Sequence, residues 1–211
     1  LGADIDGEAA GDLSGTSVSL SNDGTTVAIG ATENSGNGSK AGHVRVYQYS
    51  GGTWSQLGSD IDGETANDES GVSVSLSAEG SIVAIGAQFN TDNGSDAGHV
   101  RVYQYNGGTW SQLGSDIDGE ANDQSGRSIS LSADGSVVAI GAPVGEKTRV
   151  LQYTGSVWVQ VGSDIEGEGS GDESGTSIGL SNDGTRLVIG APNNFGWKGQ
   201  ARVFDLSILL S

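Results

Sequence analysis

The 211-residue chain has no cysteine, so it can make neither disulfides nor thiolate metal sites, although this does not fix its compartment. Methionine is absent too, even at position 1, from which we expect a chain that begins after processing or a piece of a longer precursor. Proline occurs only twice, and no window carries a long helical apolar stripe. The one apolar cluster at an end, Ile208-Leu209-Leu210, is far too short to span a bilayer. Basic side chains are scarce: nine Lys and Arg face 27 Asp and Glu, a net charge of −18. That balance opposes binding to nucleic acid or to an anionic membrane and favours cations or cationic partners.

What the chain has in abundance is glycine, 37 residues, together with an internal repeat. Leu1-Gly2-Ala3-Asp4-Ile5-Asp6-Gly7-Glu8 returns, with Ser in place of Ala3, as Leu57 to Glu64, as Leu113 to Glu120 and, with Val161 and Glu166 also substituted, as Val161 to Glu168. The marker isoleucines lie 56, 56 and 48 residues apart, the length of one propeller blade and too long for most helical solenoid repeats. The repeats divide the chain at about 1–56, 57–112, 113–160 and 161–211, within a single domain.

Each unit reads as four strands. Ser17-Val18-Ser19-Leu20 alternates polar and apolar residues, the period of a half-buried strand (strand a). Asn22-Asp23-Gly24 and its equivalents Ala78-Glu79-Gly80, Ala133-Asp134-Gly135 and Asn182-Asp183-Gly184 supply a tight hairpin. Strand b, Thr26 to Ala31, is nearly all apolar and expected to be buried on both faces. Strand c, His43 to Tyr49, alternates cleanly, and Gly51-Gly52 turns the chain into strand d near Trp54. Four antiparallel strands in about 50 residues, repeated in tandem, predict an all-β fold: a β-propeller of four four-stranded blades, closed alone or part of a larger or multi-chain ring. The fourth unit lacks the Gly-Gly turn and the d-strand Trp. Either Ile208 to Leu210 forms a shortened d strand or a neighbouring chain supplies one, because an unpaired sheet edge is usually avoided.

Ser14-Gly15-Thr16-Ser17-Val18-Ser19-Leu20, followed by Val27-Ala28-Ile29-Gly30-Ala31, resembles the FG-GAP repeat of integrin α-subunit propellers and related surface proteins. The "GAP" part stands as Gly30-Ala31-Thr32, Gly86-Ala87-Gln88, Gly141-Ala142-Pro143 and Gly190-Ala191-Pro192. The resemblance implies an extracellular or cell-surface propeller acting in adhesion or recognition. Two departures stand out. The family's Phe before the first Gly is replaced by Ser14, Ser70, Ser125 and Ser174, and its calcium loop between strands a and b is shortened to a hairpin with too few oxygen ligands.

The remaining candidate for a cation is the acidic connector: Asp4, Asp6, Glu8 and Asp12, then Asp60, Asp62, Glu64 and Asp68, then Asp116, Asp118, Glu120 and Asp123, then Asp164, Glu166, Glu168 and Asp172. Alternation places the first two carboxylates of each set on one side of the chain, where they could converge with the Glu on calcium. The competing reading has the marker isoleucine plugging the core while the carboxylates cap backbone N–H groups or face water. The loops between strands b and c vary most, so binding specificity is expected there. Phe195, Trp197 and Lys198 are candidates for partner contact, or an aromatic cover on the last blade. Asn37 and Asn93 begin glycosylation triplets in equivalent loops. His43 and His99 share one repeat position and read as strand-surface residues, and Trp54, Trp110 and Trp158 read as anchors more than as carbohydrate platforms.

Nucleophile elbows, P-loops and His-Glu-x-x-His runs are missing, and a carboxylate pair present in every unit suggests architecture, since catalysis needs it once, so no enzyme is expected. The expected function is an extracellular adhesion or recognition module that binds a protein or glycan partner through its loops. The alternative is a structural subunit of a surface filament or layer, joined to other copies of itself through open edges at Leu1 and Ser211.

Overall fold

The computed structural model describes residues 1–210, so Ser211 lies outside the described residues. Four antiparallel sheets follow one another along the chain. The first contains β1 (Ser14–Leu20), β2 (Thr26–Ala31), β3 (His43–Ser50), β4 (Thr53–Gln56) and β5 (Ile61–Asp62). The second contains β6 (Ser73–Leu76), β7 (Ile82–Ala87), β8 (His99–Tyr105), β9 (Trp110–Gln112) and β10 (Ile117–Asp118). The third contains β11 (Ser128–Leu131), β12 (Val137–Ala142), β13 (Lys147–Tyr153), β14 (Trp158–Gln160) and β15 (Ile165–Glu166). The last has three strands: β16 (Ser177–Leu180), β17 (Arg186–Ala191) and, after the single turn α1 (Asn194–Trp197), β18 (Gln200–Asp205).

The register explains the marker. Strand β3 pairs through Tyr47–Ser50 with β4 and, on the same edge, through His43 and Val44 with Asp62 and Ile61 of the next unit. The outer strand of each of the first three sheets is therefore built from two pieces: the d strand, then the marker of the unit that follows. Ile61 and Ile117 are buried by this pairing. Of the two alternatives for the fourth unit, the shortened d strand is corrected: Ile208 to Leu210 form no strand; Leu209 N–H donates to Leu206 O in a turn, and Leu209 packs over Gly162 where Trp54, Trp110 and Trp158 cover Gly2, Gly58 and Gly114.

Adjacent sheets are held by apolar packing and by a repeated set of hydrogen bonds. Ala28, Val44, Val46 and Ile61 of the first sheet meet Val74, Leu76, Val83 and Ile85 of the second, and two further clusters repeat the pattern. The hydroxyls of Ser17, Ser73 and Ser128 donate to the carbonyls of Gly71, Gly126 and Gly175 at 2.6, 2.6 and 2.7 Å. At the hairpin tips a single-file ladder runs from Asn22 N–H to Ala78 O, from Ala78 N–H to Ala133 O and from Ala133 N–H to Asn182 O. Close backbone approach requires a small residue here: Ser70 and Ser125 are fully buried and bridge Gly42 and Gly98 of the preceding unit, backbone against backbone.

The result is an all-β, propeller-like arc in which no sheet closes on itself. Its ends are open. Val18 and Leu20 are 65% and 58% exposed, whereas their counterparts Val74 and Leu76 are buried. At the other end Val203 is 72% exposed, against 1% for Val46 and Val102 and 2% for Val150.

Candidate functional site

The connector carboxylates do not gather unit by unit. Asp12, Asp68, Asp123 and Asp172 turn inward and accept the backbone N–H of Ala9, Thr65, Glu120 and Gly169, and Asp12, Asp68 and Asp172 also bind the amides of Asn34, Asn90 and Asn194. They are caps, which is the structural role weighed from the sequence. Asp6, Asp62, Asp118 and Glu166 contribute their carbonyls instead, each of which accepts the guanidinium of a c-strand arginine: Arg45, Arg101, Arg149 and Arg202.

Carboxylates from two successive units meet at the histidines. His43 and His99 are each 1% exposed, which corrects their placement on the strand surface: the outer strand and the connector close over them. The Nδ1 of each has no hydrogen-bond partner. Around His43 stand Glu8 Oε2 at 3.9 Å and Asp60 Oδ2 at 3.7 Å. Around His99 stand Glu64 Oε2 at 3.7 Å, with Asp92 and Asp116, all ligand atoms lying within 4.8 Å of one another. Asp60 and Asp116 are oriented by Gln56 and Gln112, whose amides donate to Asp60 Oδ1 and Asp116 Oδ1 at 2.6 Å. Arg45 and Arg101 face Glu8 and Glu64 at 3.8 and 3.6 Å.

Electrostatics follow from this crowding. Burial and the neighbouring Arg101 charge lower the pKa of His99, against Asp116, Asp68 and Asp118, which raise it. Burial raises Glu64, and Asp116, Asp92 and Asp68 add to that against Arg101. Asp118 is raised by burial and by Asp116. In the third unit Lys147 takes the histidine position, and its Nζ lies 2.7 Å from Glu120, 3.0 Å from Asp123 and 3.7 Å from Asp164. Burial opposes the Lys147 ammonium, but hydrogen bonds and charges from Glu120 and Asp123 outweigh it and hold the pKa above its ordinary value. In the fourth unit Gln200 occupies the position and donates to Glu168. Reading His43, His99, Lys147 and Gln200 as one column against the marker of the following unit was the signal available in the sequence.

The other candidates are placed as follows. Asn37 and Asn93 sit in exposed loops, and their amides donate to Gly63 O and Gly119 O at 2.8 and 2.7 Å. Phe195, Trp197 and Lys198 are exposed, so the aromatic pair does not cover the last sheet. Trp54, Trp110 and Trp158 are tied down by indole donation to the carbonyls of Leu1, Leu57 and Leu113, and each packs against a tyrosine with ring centroids 5.2 Å apart. Beside Trp54 a cleft of about 360 Å³ opens between Tyr47 and the first marker, and a smaller one of about 270 Å³ recurs beside Trp110.

No helix among the described residues is long and apolar enough to cross a membrane. No family model and no curated protein sequence matches the chain. Solved structures do. Kuenenia stuttgartiensis hydrazine synthase aligns over 98% of this chain and 50% of its own at a TM-score of 0.60 and 14% identity. A functionally unknown protein from Desulfotomaculum acetoxidans aligns over 90% and 55%, TM-score 0.56 and 13% identity. A structure described as a candidate 6-phosphogluconolactonase from Bacteroides uniformis aligns over 90% and 55%, TM-score 0.55 and 14% identity. At these identities the likeness concerns the fold alone. The chain spans about half the length of the structures it matches.

Proposed function

We propose that this chain is an assembly subunit: a half-ring of four blades whose two end faces join those of a second copy, head to tail, to complete a β-propeller. The observation that carries the reading is the complementarity of the ends. Val18, Leu20, Val27 and Ile29 present the face that Val74, Leu76, Val83 and Ile85 bury one unit later. Val188, Ala201 and Val203 present the face that Ala28, Val44 and Val46 bury three units earlier. A valine or leucine left in water forgoes about 1.5–3 kcal/mol of transfer free energy, so the two faces attract what the interior interfaces already contain.

Polar groups agree. Gln200 and Ala201 in β18 hold the positions of His43 and Val44 but, among the described residues, have no marker strand beside them, and Ile5-Asp6 is a marker paired with no c strand. In the pair, Ile5 and Asp6 of each copy would lie along Ala201 and Gln200 of the other, a heterologous contact that closes after two copies. The hydrazine synthase chain, about twice as long and similar in fold, supports that size.

Light scattering on the purified chain tests this: the expected mass is twice 21.2 kDa. Val203→Glu and Leu20→Glu should each give monomers, and mixing them should restore one intact interface and a heterodimer. A monomeric wild type at tens of micromolar, or a mass indifferent to both changes, overturns the reading. Growth to large indefinite masses would show that the ends meet without closing, which overturns the ring.

A further inference from the structure

The geometry points to a divalent transition-metal site at each buried histidine: His99 with Glu64, Asp92 and Asp116, and His43 with Glu8 and Asp60. The inference is independent of how copies assemble, since every ligand comes from within one chain. It goes beyond the acidic connector read as calcium loops, because the ligands come from two successive markers, a c strand and a b to c loop, and one of them is nitrogen.

Three observations carry it. First, the Nδ1 atoms of His43 and His99 are buried, aimed into the carboxylates and without a hydrogen-bond partner. A buried polar atom left unpaired costs about 1–3 kcal/mol, so a ring nitrogen left without a partner in two units needs an occupant. Second, the third unit supplies a cation of its own at that point, with Lys147 Nζ among Glu120, Asp123 and Asp164. The fold thus places positive charge between two successive markers, by ammonium in one unit and by an ion in the other two. Third, the spacing fits: atoms 3.7 Å apart can both bind an ion about 2.1 Å away at an angle of about 120°.

Ligand chemistry selects the metal. One imidazole nitrogen with carboxylates suits zinc and its first-row neighbours, whereas calcium takes oxygen ligands, six to eight of them. Gln56 and Gln112 serve as outer partners that fix the Asp60 and Asp116 carboxylates, Asp60 with its Oδ2 turned toward His43. The position of Asp92 is Gly36 in the first unit, so the His99 site has one carboxylate more and binds more tightly. Bound metal would staple the connector of one unit to the outer strand completed by the next.

Chelator-treated protein titrated with zinc, followed by calorimetry and native mass spectrometry, should take up two ions. His99→Gln should remove the tighter one and His43→Gln the weaker, with both variants folded by circular dichroism. Lys147→His should raise the count to three. Asp116→Asn should weaken the tighter site at least about tenfold. Cobalt(II) should give a visible absorption band that disappears in the double histidine variant. The proposal is overturned if zinc fails to saturate at two ions, if the double variant binds as the wild type does, or if equimolar calcium displaces the zinc.

Discussion

Gly86→Ala should push apart the second and third sheets, while the equivalent change at the end of the arc, Gly190→Ala, should leave the folded chain almost untouched. Neither glycine has a positive φ, so alanine meets no backbone penalty and gains about 0.4–1 kcal/mol by narrowing the unfolded ensemble. The difference is space. A Cβ on Gly86 would stand 2.6 Å from Ser73 Oγ and closer still to the carbonyl oxygen of Gly126, which is backbone of the next unit and cannot swing aside. Overpacking of that kind costs about 1–3 kcal/mol, and losing the Ser73 to Gly126 hydrogen bond adds about 1 kcal/mol. Against the entropic gain, the net destabilisation is about 1–3.5 kcal/mol. At Gly190 the close neighbours among the described residues are Ser177 atoms alone, Oγ first, with no glycine carbonyl to hold that hydroxyl, so the expected change is within about 0.5 kcal/mol. Urea unfolding followed by tryptophan fluorescence, in the Val203→Glu background to keep copies apart, measures both. Equal midpoints for the two variants, or a raised midpoint for Gly86→Ala, would refute the claim that close backbone approach between sheets fixes these glycines.

Two further outcomes concern charge. Lys147→Met leaves Asp123 buried beside Glu120 and Asp164 with no cation, and should cost about 2–3 kcal/mol at pH 7, less than a fully buried pair because Glu120 remains in water. Because the folded-state pKa of Lys147 is raised, its contribution is complete below the unfolded value of 10.5 and is lost as pH climbs above it, so wild type should lose melting temperature in that range and Lys147→Met should not. Asp183 is held down to about 2, first by the Ser181 hydroxyl and then by the N–H and hydroxyl of Thr185. Its folded pKa is depressed, so the hairpin keeps this support above pH 3.8 and loses it as pH falls through about 2; carboxyl NMR should show that midpoint, and Asp183→Asn should abolish the acid loosening.

Strand order and burial could be read from the sequence because they follow from local pattern. The alternation of Val18 and Leu20, the apolar run from Val83 to Ala87 and the Asp-Gly turns each predict one element without knowledge of any other. The marker was harder. Leu57 to Glu64 begins a repeat in sequence, yet Ile61 and Asp62 finish the sheet of the unit before, a pairing set by register across 17 residues that no local pattern encodes. The histidine sites were missed for the same reason: Glu64 and Asp116 are 52 residues apart and belong to different markers. His99 looked superficial because it alternates with apolar residues on strand c, and only the connector folded over it makes it interior.

The two-piece outer strand has a mechanical meaning. Since three of the four sheets are finished by the unit that follows, the chain is laced: no blade can leave without undoing its neighbour's hem. Tension along the chain would load β5 against β3, β10 against β8 and β15 against β13 together with the serine and hairpin-tip bonds between sheets, so stretching should open the arc in few, large steps in place of one small step per repeat.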